Sequence, residues 1–259
     1  MSGPASDRAA AAYAYIARID EVPGWLHALD AHLLIRAASE LERAGVRGDV
    51  LEIGVYRGRT ALLLGFLPAG GERLVLCDVF DSDGPVGPYN AADNARWYDR
   101  PRAQEFLERF RRVHGSEPLL HVVPSSDLGA LVPAGSVRLL HLDGAHDYPT
   151  VAEDLRLCIR LLVAGGVLVV DDYLKPHLPG VGAATWELLA GTPELEIIGL
   201  TDDKIYLAFR SGRAESLREA LAAEVCVQEG WRVDRHWIHG VEIPRLIPRP
   251  APGPDWDRA

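Results

Sequence analysis

Carboxylates stand where apolar runs end. DVLEIGV (49–55) carries Glu52 into a glycine turn, and RLVLCDV (73–79) carries Asp78 at its end. VRLLHLD (137–143) stops at Asp143, and GVLVVDD (166–172) stops at Asp171 and Asp172. A further run, Leu119 to Val123, leads into Ser125, Ser126 and Asp127. In an open parallel sheet, ligands bind beyond the carboxyl ends of the strands. Acids gathered at such an edge ask for positively charged ligands. The turn after the first run reads Glu52-Ile53-Gly54-Val55-Tyr56-Arg57-Gly58. A nicotinamide site wants G-x-G-x-x-G, with a pyrophosphate on the helix N-terminus. Here the middle glycine is missing and Glu52 would repel a pyrophosphate, whereas it suits a ligand carrying an ammonium or sulfonium group. Asp78 is placed to accept hydrogen bonds from a ribose diol.

These residues need a frame. Apolar spacing predicts helices over 7–19 and 26–44, the second through Leu26, Leu29, Leu33, Leu34, Ala37, Ala38 and Leu41. Helices are also expected over 60–67, 101–115, 148–162 and 182–190, alternating with the apolar runs. LEIIGLTDDKIYLAFR (195–210) reads as a hairpin turning at Asp202-Asp203. Strands that alternate with helices and are apolar throughout describe an α/β protein: a doubly wound, mostly parallel sheet covered on both faces. Residues 81–99, rich in Gly, Pro, Asn and Asp, form a candidate lid, with Trp97 and Tyr98 as acceptor contacts. Residues 211–259 read as a helix near 215–224 and a Pro-rich extension that is partly mobile. The expected organisation is an N-terminal helical segment (1–47), a core (48–210) and a C-terminal extension (211–259).

Composition removes several classes. The chain has 259 residues, 48% hydrophobic and 25% charged, with a net charge of −10. That charge argues against nucleic acid and anionic membrane as partners, since both need clustered Lys and Arg. Only Lys175 and Lys204 are lysines among 27 basic side chains. Cys77, Cys158 and Cys226 are too few and too scattered for a disulfide framework or zinc knuckle. The N-terminus lacks a signal-peptide pattern, and no apolar run approaches the ~20 residues that span a bilayer. A reduced, cytoplasmic protein is expected.

Glu52 to Thr60, Asp78 and the closing hairpin together resemble the class I S-adenosylmethionine-dependent methyltransferases. HLDGAHDYPTVAEDL (141–155), GGVLVVDDY (165–173) and CDVFDS (77–82) resemble the family of macrocin O-methyltransferase and related sugar O-methyltransferases. The resemblance spans roughly 48–210. It implies a seven-stranded sheet and S-adenosylmethionine held by Glu52, Gly54, Tyr56, Gly58, Thr60, Asp78 and Asp143. Ser125 and Ser126 would face the adenine. It also implies a divalent metal, usually Mg²⁺, on Asp143, Asp171 and Asp172. Hard oxygen donors without Cys agree with Mg²⁺ over zinc, although Asp171 and Asp172 could instead cap the next turn. His146, in Asp143-Gly144-Ala145-His146, is a candidate general base for a hydroxyl proton. Asp143 is the other candidate.

The reaction so implied is O-methylation of a small-molecule hydroxyl, favouring a vicinal diol on a sugar or other secondary metabolite. Alternatives are a metal-dependent enzyme of other chemistry on the same fold and a non-catalytic S-adenosylmethionine-binding protein. A nicotinamide oxidoreductase is disfavoured by the glycine pattern. The N-terminal helices and the Trp-bearing C-terminal segment could build a homo-oligomer face.

Overall fold

The computed structural model describes residues 5–80, 102–227 and 230–248. The candidate lid at 81–99, with Trp97 and Tyr98, lies outside the described residues. Helix α1 (Ala5–Ile16) and a short helical turn (Ile19–Glu21) precede α2 (Ala28–Arg43). Then β1 (Asp49–Ile53), α3 (Arg59–Leu64), β2 (Leu74–Cys77), α4 (Ala103–His114) and β3 (Leu119–His121) follow. The chain continues through α5 (Ser125–Leu131), β4 (Val137–Leu142), α6 (Tyr148–Leu161), β5 (Leu162–Val170) and α7 (Pro179–Gly191). It ends with β6 (Leu195–Leu200), β7 (Ile205–Phe209), α8 (Ala214–Cys226), β8 (Trp231–Ile238) and β9 (Val241–Pro248).

The strands form one sheet ordered β3-β2-β1-β4-β5-β7-β6-β9-β8. β1 to β5 run parallel, and β7 is antiparallel to β5. The order reverses between β1 and β4, which is where an open α/β sheet offers a ligand crevice. Side chains alternate across the sheet. Leu51, Leu140 and Leu168 pack under α6 and α7, while Val50, Leu139 and Val167 pack under α2 and α3. Both faces are dry, as continuous apolar runs require.

Two expectations need correction. The sheet has nine strands among the described residues rather than seven, because β8 and β9 form a hairpin joined to β6 at Leu200–Arg245. Its two-residue turn, His239-Gly240, has φ of 50° and 76°, the left-handed pair that matches strand twist. Much of the segment read as a loose extension is therefore sheet, and Arg245 pairs with Asp202 in the β6–β7 turn. Ser125-Ser126-Asp127, which follow the third apolar run and for which the spacing predicts no helix, open α5 directly after Pro124. The Asp202-Asp203 turn falls where the sequence puts it. Cys77 and Cys158 are buried free thiols, whereas Cys226 is exposed.

Candidate active site

A cavity of about 380 Å³ opens at the switch point between β1 and β4. It is lined by Glu52, Gly54, Tyr56, Thr60, Asp78, Ser125, Ser126, Asp143 and His146, so four strand ends converge on one space. Gly58 stands outside that lining. Its φ is +86°, and a Cβ there would come within 2.5 Å of the Phe106 ring, so the glycine serves packing. Gly54 is needed for close approach: at φ +88° a Cβ would lie 1.8 Å from the carbonyl oxygen of Asp143. That contact lets the β1 turn rest against the end of β4, and the Asp143 amide donates to the Ile53 carbonyl at 2.8 Å.

Asp78 organises the turn before it meets any ligand. Its Oδ2 accepts the amides of Val55 (2.6 Å) and Tyr56 (2.8 Å), and its Oδ1 accepts that of Phe80 (2.7 Å). Tyr56 is thereby held at φ +51°, a region non-glycine residues seldom adopt. Burial pushes the Asp78 carboxyl up, and those amides oppose the shift. Residues 23–26 form another part of the wall, and the Trp25 ring stacks on Tyr56 at 5.3 Å. Arg59 also lines the cavity and reaches to the Leu26 carbonyl (3.4 Å) and to Asp20 (3.3 Å), tying the N-terminal segment to the turn.

Deeper in, the acids are short of partners. Glu52 is 1% exposed; its Oε1 meets His141 Nδ1 at 3.1 Å and its Oε2 has no hydrogen-bond partner. Burial holds its carboxyl well above the ordinary range; Lys204 opposes that rise, and Asp78 and Asp171 add to it. Burial drives His141 down to about 3, so its imidazole is neutral. Asp143 is raised well above its ordinary value by burial first and by Asp171 next. Asp172, at φ +58°, is raised to about 6 by burial and by Asp171, and its Oδ2 lies 3.5 Å from His146 Nε2. A buried set of like charges is what a cation would relieve.

Of the expected metal ligands, Asp143 and Asp172 share a cluster with His146, their donor atoms within 4.8 Å of one another. A second such cluster joins Asp143 and Asp171 to His141. Asp171 also accepts Lys204 Nζ, a buried contact spanning β5 and the β6–β7 turn. The donor set therefore fits a divalent ion, with Asp171 already holding one positive partner.

Four residues of the site were not singled out from the sequence: His141, Lys204, Trp25 and Asp154. Asp154 projects from α6 into the cavity wall, is hydrogen-bonded by Ser125, and is raised by burial to about 6. For His141 the signal was present, because Glu52 and His141 face each other across β1 and β4. For Lys204 it was the rarity of lysine in an arginine-rich chain.

Residues 51–173 match the family model described as a methyltransferase domain. The chain's fold is similar to that of the O-methyltransferase NovP, with a TM-score of 0.58 at 21% identity, covering 70% of this chain and 78% of that one. It is also similar to cofactor-bound Rv0187 from MTB (TM-score 0.51, 21% identity, 81% and 91% covered). A third likeness is to TomG from Streptomyces achromogenes, an O-methyltransferase of tomaymycin synthesis in complex with SAM (TM-score 0.50, 20% identity, 81% and 90% covered). No curated protein matches the chain in sequence. Among the described residues, no helix is long and apolar enough to cross a membrane. The nine-stranded sheet adds the C-terminal hairpin beyond β6.

Proposed function

We propose that this protein is a methyltransferase that transfers the methyl group of S-adenosylmethionine to a hydroxyl of a small molecule such as a sugar, and that it uses a divalent cation. The observation that carries the reading is the convergence of Glu52, Asp78, Asp143 and His146 on one cavity at the switch point. In this reading the turn held by Asp78 seats the cofactor's ribose, and Glu52 Oε2 faces its positively charged amino-acid end. Ser125, Ser126 and Asp154 surround the adenine. Asp154 supplies an acceptor for an exocyclic amine, a role that suits a carboxylate beside an aromatic base.

Asp143 and Asp172 would hold the divalent ion, with Asp171 behind them. An ion bound there supplies Lewis acidity, lowering the pKa of an acceptor hydroxyl. His146 takes the hydroxyl proton at Nε2, and the Asp172 carboxylate, 3.5 Å away, stabilises the imidazolium that forms. The hydroxyl oxygen then displaces the sulfur in line at the methyl carbon, so alignment in a dry cavity supplies much of the acceleration. A hydroxyl beside the reacting one favours a vicinal diol, since two neighbouring oxygens can share one hard cation.

The organisation into residues 1–47, 48–210 and 211–259 is retained as part of this proposal. The first segment closes the cavity through Trp25, and the last extends the sheet. The test is mass spectrometry of products from a panel of glycosides and catechols incubated with S-adenosylmethionine and Mg²⁺. A single added methyl on a hydroxyl is expected. Consumption of neither substrate across the panel, with cofactor bound, would favour a binding protein without catalysis.

A further inference from the structure

Sheet register puts four polar side chains in one row. Glu52 pairs with His141 across β1 and β4, His141 with Val169 across β4 and β5, and Val169 with Tyr206 across β5 and β7. Asp171 stands two residues beyond Val169, and Lys204 two before Tyr206 on the antiparallel strand. All four therefore share the sheet face that α2 covers. The row reads Glu52, His141, Asp171, Lys204, and each member is at least nine-tenths buried. Asp171 has both oxygens engaged: Oδ2 accepts Lys204 Nζ, and Oδ1 accepts the Asp172 amide at 2.8 Å. The lysine is itself locked. Its amide donates to Thr201 Oγ1 at 2.8 Å, and that hydroxyl donates to Asp30 of α2 at 3.0 Å.

We infer that Lys204 is the resident counter-ion of Asp171 and withdraws this carboxylate from cation binding. The divalent ion is then held by Asp143 and Asp172 alone among the carboxylates at the ends of β4 and β5. This rests on the reading that such an ion binds. An ammonium 2% exposed has no route to water, and removing its partner would strand a buried charge. Direct coordination by Asp171 Oδ2 would require that separation and its Oδ1 already accepts the Asp172 amide, whereas Asp143 and Asp172 have no lysine or arginine bonded to them among the described residues. The ammonium also repels a dication at the far end of the row, which favours the two carboxylates nearer His146. Lysine rather than arginine suits the place, because a compact point charge fits where a planar fork of five donors would leave several unpaired.

The experiment is Mn²⁺ binding to the full chain, read by electron paramagnetic resonance, with S-adenosylmethionine binding measured in parallel by calorimetry. Lys204→Gln releases Asp171, so a third carboxylate joins the ion and affinity rises by roughly tenfold or more, the usual scale of a change in a metal's outer shell. The double variant Asp171→Asn with Lys204→Gln removes both partners together, avoids a stranded charge, and keeps Mn²⁺ affinity within about threefold of the parent, well inside that scale. Asp143→Asn and Asp172→Asn each lose the ion. The inference is overturned if the double variant loses Mn²⁺ as Asp143→Asn does. It is equally overturned if Lys204→Gln, folded by circular dichroism, binds Mn²⁺ no tighter than the parent. A chain that binds S-adenosylmethionine but no Mn²⁺ in any form also contradicts the inference and leaves methyl transfer standing. Failure to bind S-adenosylmethionine would count against the functional reading instead.

Discussion

The two walls of the cavity neutralise their acids by opposite means. At the β1 turn, Asp78 is satisfied by three backbone amides that belong to its own strand end and the neighbouring turn. In the row behind, Asp171 is satisfied by a side chain from the β6–β7 turn, and Glu52 is left with one oxygen unpaired. The first arrangement is made by local chain geometry and is complete without a ligand. The second depends on residues far apart in sequence and still carries unbalanced charge. On the proposed reading the rigid turn would position the cofactor, while the row would offer it only the unpaired oxygen of Glu52, its other acid being held by Lys204. That division of labour is what the predicted variants test.

The largest effect is expected at the residue between the walls. His146→Ala should slow methyl transfer by about 10²–10⁴-fold, the usual contribution of a positioned base, with S-adenosylmethionine affinity nearly unchanged by calorimetry. An unchanged rate would move the base elsewhere. At the rigid wall, Asp78→Ala leaves three amides without their acceptor. Since each unsatisfied buried group costs ~1–3 kcal/mol, cofactor affinity should fall ~100-fold or more. In the row, Glu52→Gln keeps shape and the contact to His141 but removes charge, so the loss should be smaller, about tenfold in affinity by the worth of one charge-assisted hydrogen bond. If Asp78→Ala and Glu52→Gln cost the same, the contrast between the walls fails.

A control lies outside both. His114, packed against Phe66 and Phe110 with Nε2 on the Leu62 carbonyl (3.0 Å), is lowered by burial to about 4. The unfolded chain takes up a proton near the ordinary value of 6.5, whereas the folded chain does so only near 4. Stability is therefore full above that range and declines as pH falls from 6.5 to 4, by an amount on the order of 3 kcal/mol. Urea melts of His114→Gln between pH 7 and 4 should show less of that decline than the parent, without altering cofactor binding at neutral pH.

Much of this was legible in the chain. Short buried strands ending in acids have a strong signature, so Glu52, Asp78, Asp143 and His146 could be placed on one edge before any coordinates. The Asp202-Asp203 turn was equally plain from its flanking apolar runs. The C-terminal hairpin was not, because Arg232, Asp234, Arg235 and His236 interrupt the alternation of β8, and Pro244 and Pro248 in β9 argue against a strand. They are tolerated where β9 meets β6 at one position, Leu200–Arg245. Trp25 and Asp154 escaped because they reach the cavity from the loop before α2 and from α6, segments whose approach is set by tertiary packing. Gly58 looked like a cofactor glycine, and only the Phe106 ring shows why a side chain has no room there.

The central claim is that this cavity binds a sulfonium cofactor rather than a dinucleotide, and isothermal titration of the full chain with S-adenosylmethionine and with NADH tests it most directly. The account predicts saturable binding of S-adenosylmethionine, one molecule per chain, and none of NADH. Binding of NADH with no heat from S-adenosylmethionine would contradict it.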